Sequence, residues 1–337
     1  VGIGLIGAAH GGSFFALAIF GGYLCDRMNR VNLLAISLLV QSIGVALLPL
    51  ASNPFQIIAL RIIEGAAAAF FFPASQSIAS RVSSGSNRVR ILGLLAVSNT
   101  MGLLIGPPVG GYLVESLGFN ELFWTSAMMS MSASIIAIFW VAKNYSQEET
   151  SGGSLKEGFG VIAQNFRVLS VLVLPLGSIL GVIFTIVPAY ATNLGFSATV
   201  IGILLVSFSA GRIIGSLTVK RISHKGEWFG IIPSSIILIF SSLLLTINDD
   251  LIVVSVLLFG IGCGVGFLLP IILSLTTKLP PASSLGITLG AFESLRAAGL
   301  TIGPIFSGPL SEYVSTTSPF IFISVLGVVL GLVGVFR

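Results

Sequence analysis

Gly102-Leu103-Leu104-Ile105-Gly106-Pro107 returns 197 residues later as Gly299-Leu300-Thr301-Ile302-Gly303-Pro304. The match extends outward from this hexapeptide: Gly111 faces Gly308, and Leu113 faces Leu310. At the same offset Phe72-Pro73 meets Leu269-Pro270, and Gly22-x-Leu24 meets Gly215-x-Leu217 at an offset of 193. Spaced matches at a near-constant offset mark an internal repeat, so the fold is built twice from one plan.

The solvent of that plan is lipid. Hydrophobic residues make up 55% of the chain and charged residues only 8%, and the mean hydropathy is +1.06. A soluble chain is nearer one quarter charged. Eleven apolar runs are long enough to cross a bilayer: roughly 3–24, 33–51, 54–79, 89–114, 121–141, 168–190, 199–219, 228–247, 250–277, 284–310 and 318–336. Only helices and closed barrels satisfy every backbone group in hydrocarbon, and these runs lack the alternation of barrel strands. The sequence therefore predicts an all-α membrane protein.

The connections fall into two alternating sets. One holds Arg27, Arg30, Arg81, Arg88, Arg90, Lys143, Lys156, Arg167, Lys220, Arg221, Lys225, Lys278 and Arg337, which is 13 of the 16 Lys and Arg. The other holds none, and carries Glu115, Glu121, Asp249, Asp250 and Glu312. Positive charge stays on the cytoplasmic side, so the first set is cytoplasmic. The two halves then cross the membrane in the same direction, as a parallel repeat. A long polar connection, 142–167, separates an N-terminal bundle at 1–141 from a C-terminal bundle at 168–337. The run 168–190 precedes the Gly215 segment by one span, and its repeat partner would fall before Val1. Two bundles of six are thus expected, with the first span outside this sequence.

Composition excludes other classes. Cys25 and Cys263 lack metal-ligand spacing, and His10 and His224 are isolated, so neither a metal nor a disulfide framework is expected. The formal charge of +4 is spread over short loops, which is no nucleic-acid signal. No phosphate-cradling Gly-Lys-Ser/Thr loop is present, which removes ATP as the energy source. An enzyme would need a catalytic set that the single in-span histidine does not supply. No cofactor is expected.

At the first cytoplasmic turn stands Gly22-Tyr23-Leu24-Cys25-Asp26-Arg27-Met28-Asn29-Arg30. It resembles the G-x-x-x-D-R-x-G-R loop signature of the major facilitator superfamily. Glycine lets helices approach closely, and an aspartate at a helix end can pair with arginines or with a helix terminus. Asn29 replaces the usual second glycine and is a residue able to take a left-handed conformation. Val31-Asn32 replaces the usual trailing basic pair. The second copy, Gly215-Ser216-Leu217-Thr218-Val219-Lys220-Arg221, keeps the basic character but has Val219 where the acid would stand.

The stretch Gly102-x-x-x-Gly106-Pro107-x-x-Gly110-Gly111 is similar to the fifth-span motif of that superfamily's antiporters, and Gly299, Gly303 and Pro304 echo it. Leu60-Arg61-Ile62-Ile63-Glu64-Gly65 resembles the family's R-x-x-Q-G segment with Glu64 in place of glutamine. Glu293 and Arg296 form a second in-span pair at the same spacing of three, close enough to share one helix face. Arg212 lies nearer the cytoplasm, where its side chain is expected to snorkel.

The resemblance implies two bundles around a central cavity and secondary transport of a small organic solute by alternating access, as a monomer in the plasma membrane. The drug/proton antiporter branch further implies export in exchange for protons. Glu64 and Glu293 are the candidate coupling acids, although their neighbouring arginines oppose protonation. A facilitator or symporter importing an organic anion or metabolite, and a transporter-derived sensor, stand as alternatives.

Overall fold

The computed structural model describes residues 2–82, 87–144, 155–223, 226–278 and 284–335. Among them there is no strand, and the long elements are eleven helices: α1 Gly2–Arg27, α2 Arg30–Leu47, α3 Pro54–Val82, α4 Arg88–Ser116, α5 Phe119–Ile136, α6 Leu155–Asn193, α7 Ala198–Ile222, α8 Glu227–Leu244, α9 Leu251–Lys278, α10 Leu285–Tyr313 and α11 Ser318–Val335. Nine of the described helices are both long and apolar enough to span a membrane. The other two long helices are α1 and α10. His224, Lys225 and Arg337 lie outside the described residues.

Helix ends follow local chemistry. Pro54 opens α3, where a missing N–H is harmless, and Asn53 Oδ1 accepts the N–H of Gln56 at 3.0 Å. Gly118, at φ +109°, turns the chain from α4 into α5. Asn29 departs from the expectation of a left-handed turn. It is extended (φ −60°, ψ 117°), and its side chain accepts the N–H groups of Val31 and Asn32. It therefore caps α2, a role that glycine in the family signature could not perform through a side chain. Helix α6 begins at Leu155, inside the stretch read as a linker, because no proline interrupts its amide ladder before Pro175.

Contacts divide the chain into two compact units. One comprises Val1–Val82, Pro107–Phe166 and Thr276–Ala297, and the other Ser83–Gly106, Arg167–Leu275 and Ala298–Arg337. Helices α4 and α10 each contribute to both.

In lipid the hydrophobic effect does not drive helices together, so close backbone approach and hydrogen bonds do. In the first unit a β-carbon on Gly21 of α1 would lie 2.2 Å from the Ala69 carbonyl oxygen of α3, and one on Gly65 of α3 2.2 Å from the His10 carbonyl oxygen. Pro73 cannot donate to Ala69, so α1 presses on a carbonyl that has lost its helical partner. Helix α2 is fastened to α5 through Ser42 Oγ to the Ala127 carbonyl and Ser134 Oγ to the Ala35 carbonyl, both at 2.8 Å.

The second unit meets the same problem differently. Pro270 leaves the Gly266 carbonyl of α9 without its helical donor, and Ser216 Oγ of α7 donates to it at 2.9 Å. Helices α8 and α11 join through the Ser242 and Ser324 hydroxyls at 2.8 Å. Tyr190, buried on α6, donates to Asp249 Oδ1 at 2.9 Å. Large apolar side chains face outward in both units, Phe139, Met128 and Ile252 among them, as a lipid-facing surface requires.

Candidate functional site

Three constellations in the first unit hold the charge. The first is the cytoplasmic turn. Asp26 lies past the apolar run of α1, almost fully buried, and accepts the backbone N–H groups of Gly286 at 2.7 Å and Ile287 at 3.0 Å. Those amides open α10, so the carboxylate sits on the positive end of a helix and satisfies two of its orphan donors. Burial pushes the Asp26 carboxyl up to about 6, against the pull of the Ile287 and Gly286 amides and of the Arg30 and Arg81 charges. Gly22 makes this possible: a β-carbon there would lie 2.0 Å from the Gly286 carbonyl oxygen, and one on Gly290 2.2 Å from that of Ala18. Arg30 is buried and donates through Nε to Ser77 Oγ at 3.0 Å. Arg27 instead lies over the Tyr23 ring at 4.7 Å.

The second constellation is on α3. Arg61 Nη1 donates to Glu64 Oε2 at 2.7 Å, with the Arg61 side chain 40% exposed and that of Glu64 only 2%. Glu64 Oε1 is buried and has no hydrogen-bond partner among the described residues.

The third joins three helices. Glu293 of α10 is 1% exposed. Its Oε2 accepts Nε of Arg296 at 2.9 Å and Nη2 at 2.5 Å, and its Oε1 accepts Nε2 of Gln76, from α3, at 2.5 Å. The Arg296 guanidinium lies 5.9 Å from the Phe14 ring of α1 and 5.5 Å from the Phe72 ring of α3. A charge this deep needs both partners and a polarizable surround. Gln76 and the two rings were not singled out in the sequence. The available signal for Gln76 was an amide well inside an apolar span.

In the second unit the motif copies do other work. Gly215 packs against α9, where its β-carbon would lie 2.5 Å from the Cys263 carbonyl oxygen. Lys220 Nζ reaches Asn87 Oδ1 at 3.5 Å. Arg212 corrects the expectation of snorkelling: it is 5% exposed, on a stretch of α7 whose backbone packs against Gly262 and Gly266 of α9. Gly299 and Gly303 press on α6, and Pro304 stands beside Gly181. Among the described residues, β-carbons on Gly102 and Gly106 would meet nothing within 4 Å, and one on Gly110 would meet Leu122 at 3.5 Å. Pro107 and Gly111 continue α4, and their surroundings fall outside the described residues.

The family model described as Major Facilitator Superfamily matches residues 1–300 and 182–337. The chain belongs to the Major Facilitator Superfamily. It is an integral, multi-pass membrane transporter, in a family of transporters rather than enzymes. The chain is 24% identical to the uncharacterized MFS-type transporter YuxJ of Bacillus subtilis over 91% of its own length and 80% of the relative's. It is 26% identical to multidrug resistance protein 1 of the same organism, over 89% and 78%. It is likewise 26% identical to multidrug resistance protein MdtG of Klebsiella pneumoniae, over 92% and 77%. Its fold is similar to the crystal structure of the human organic anion transporter MFSD10 (TETRAN), with a TM-score of 0.87 at 16% identity, covering 98% of this chain and 83% of that one.

Proposed function

We propose that this transporter, working as a monomer, exports a small organic solute in exchange for protons. The observation that carries the reading is Glu293, a buried carboxylate bonded at once to Gln76 of α3 and Arg296 of α10. A proton on Glu293 removes the negative charge that both donors share, so it loosens α3 from α10. Occupancy by a proton is thereby coupled to helix position, the requirement for alternating access. Glu64 is the second candidate acid, with one oxygen bonded to Arg61 and the other open to a proton. The multidrug relatives support a drug-like solute and outward transport. The cytoplasmic contact of Asp26 with α10 suits a latch that releases as the helices move.

A second reading, import of an organic anion, draws on the partial exposure of Arg61 and Arg296. The test is flux. The protein is reconstituted into liposomes, and lipophilic cations and organic anions are screened with and without an imposed pH gradient. Gradient-driven uptake that is lost in Glu293→Gln or Glu64→Gln is the expected result. Flux indifferent to the gradient sinks the antiport reading in favour of a facilitator.

A further inference from the structure

A groove of about 330 Å³ opens in the first unit among α1, α2 and α3. Its long sides run from Leu33 to Val40 on α2 and from Phe70 to Ile63 on α3. At 1.5 Å per residue each side is about 10 Å long. The two helices run in opposite directions along the chain, so both sides lead the same way, from the α1–α2 turn into the apolar depth of the spans. Leu24 and Met28 of α1, one helical turn apart, close the end at that turn.

The concavity has a simple cause. Ala66 and Ala67 of α3 and Ser37 of α2 are small, and they line the trough between larger side chains. Of those larger ones Met28, Ile36 and Ile63 are exposed, so the trough opens on the outer surface of the helices. Ser37 Oγ donates to the Leu34 carbonyl of its own helix at 2.8 Å, which commits the hydroxyl hydrogen. Nothing else in the lining carries a polar side chain. A void here would forfeit dispersion contacts on every wall. A hydrocarbon chain lying along the helix axes restores them and needs no polar partner.

The mouth is cationic. Of the three charged residues at the α1–α2 turn, two are buried and committed: Asp26 to the Gly286 and Ile287 amides, and Arg30 to Ser77. Arg27 is exposed and lies over the Tyr23 ring at 4.7 Å. It makes no hydrogen bond or ion pair among the described residues. It directly precedes Met28, which closes the groove. A guanidinium laid on a ring keeps its N–H edges free, and that planar fork matches a phosphate. The turn belongs to the cationic, cytoplasmic set of connections, where the leaflet carries anionic lipid.

We propose that this groove holds one acyl chain of an anionic phospholipid of the cytoplasmic leaflet, with the lipid phosphate on Arg27. A zwitterionic lipid fits the trough equally but carries its own cation beside the phosphate, so Arg27 selects against it. Asp26, the neighbour of Arg27, holds the amino end of α10, and the bound lipid therefore braces the turn that fastens α1 to α10.

The test is photolabelling in phosphatidylcholine nanodiscs with a trace of phosphatidylglycerol that carries a diazirine on one acyl chain, read by mass spectrometry of the digested protein. Label is expected on residues 33–40 and 63–70, and is expected to fall when unlabelled phosphatidylglycerol is added to the bilayer. Phosphatidylcholine carrying the same diazirine is expected to label these residues about fivefold less, the worth of one cation near the membrane surface. Arg27→Gln is expected to erase that difference, and Arg27→Lys to keep part of it. Ala66→Phe, which fills the trough, is expected to remove the label, whereas Ile252→Phe elsewhere on the outer surface leaves it unchanged. Thermal unfolding checks every variant, and the exposed Arg27 keeps the test open even where Ala66→Phe fails to fold. Label spread evenly over the outer helices, equal labelling by the two probes, or indifference to Arg27→Gln overturns the site. Displacement by glycerol 3-phosphate alone assigns Arg27 to a soluble anion and overturns it as well. So does a groove that stays unlabelled in nanodiscs holding two copies of the chain, which assigns the face to a second copy.

Discussion

Helices α4 and α10 carry the same glycine motif and use it in opposite ways. On α10, a β-carbon at Gly299 would come 2.5 Å from the Leu174 carbonyl oxygen, and one at Gly303 2.4 Å from that of Ser178. On α4, β-carbons at Gly102 and Gly106 would meet nothing within 4 Å among the described residues. The charges differ too. Six and three residues ahead of its motif α10 has Glu293 and Arg296, where α4 has Ala96 and Asn99. Likewise Arg61 and Glu64 of α3 correspond to Leu258 and Ile261 of α9. Backbone plan is repeated and chemistry is not, which leaves both in-span ion pairs in one unit of a two-fold scaffold.

The comparison breaks first at Glu293. Glu293→Ala strands Arg296 among the Phe14 and Phe72 rings, and removing one partner of a buried ion pair costs about 3–5 kcal/mol. Thermal unfolding of the purified protein reads this as the largest loss, while Ala96→Gly on α4 is expected to stay within about 1 kcal/mol.

Glycine substitutions come next. Gly299→Val and Gly303→Val force α10 away from α6 and are expected to cost about 1–3 kcal/mol each. In this 337-residue chain Gly102→Val and Gly106→Val are expected to fall within about 0.5 kcal/mol, as for open surface sites. Equal losses on both helices, in the same unfolding assay, would refute the contrast.

Smaller effects sharpen it. Gln76→Leu removes one donor from Glu293 Oε1 and is expected to cost about 1–3 kcal/mol. Its more telling readout is transport, with the pH dependence of flux shifting while Gln76→Asn retains part of it. Ser216→Ala, which leaves the Gly266 carbonyl beside Pro270 unmet, is expected to cost about 1 kcal/mol, measured as a shift in the unfolding midpoint.

Much of this was readable before any coordinates. The apolar runs specify helices, because a bilayer leaves such segments almost no other form, and the charge-segregated loops set the orientation expected of them. The pairs Arg61–Glu64 and Glu293–Arg296 followed from a spacing of three on a helix, and both form. Gln76 at Glu293 did not follow, since the two residues are 217 apart and only packing of α3 on α10 brings them together. Arg212 was misjudged because depth along a span says nothing of which helix lies alongside. Asn29 was read by its backbone tolerance, when its side chain was what mattered.

The linear pattern by itself determined what each segment must be: a helix of a given length, facing a given side, repeated once along the chain. That information is local, because hydrophobicity, helical period and loop charge act over a few residues. Tertiary structure alone decided which carboxylate keeps an open oxygen, which glycines are pressed against a neighbour, and that Asp26 finishes the amino end of α10. Those outcomes depend on which backbone lies within a few ångströms, and one repeated hexapeptide meets two different answers to that question.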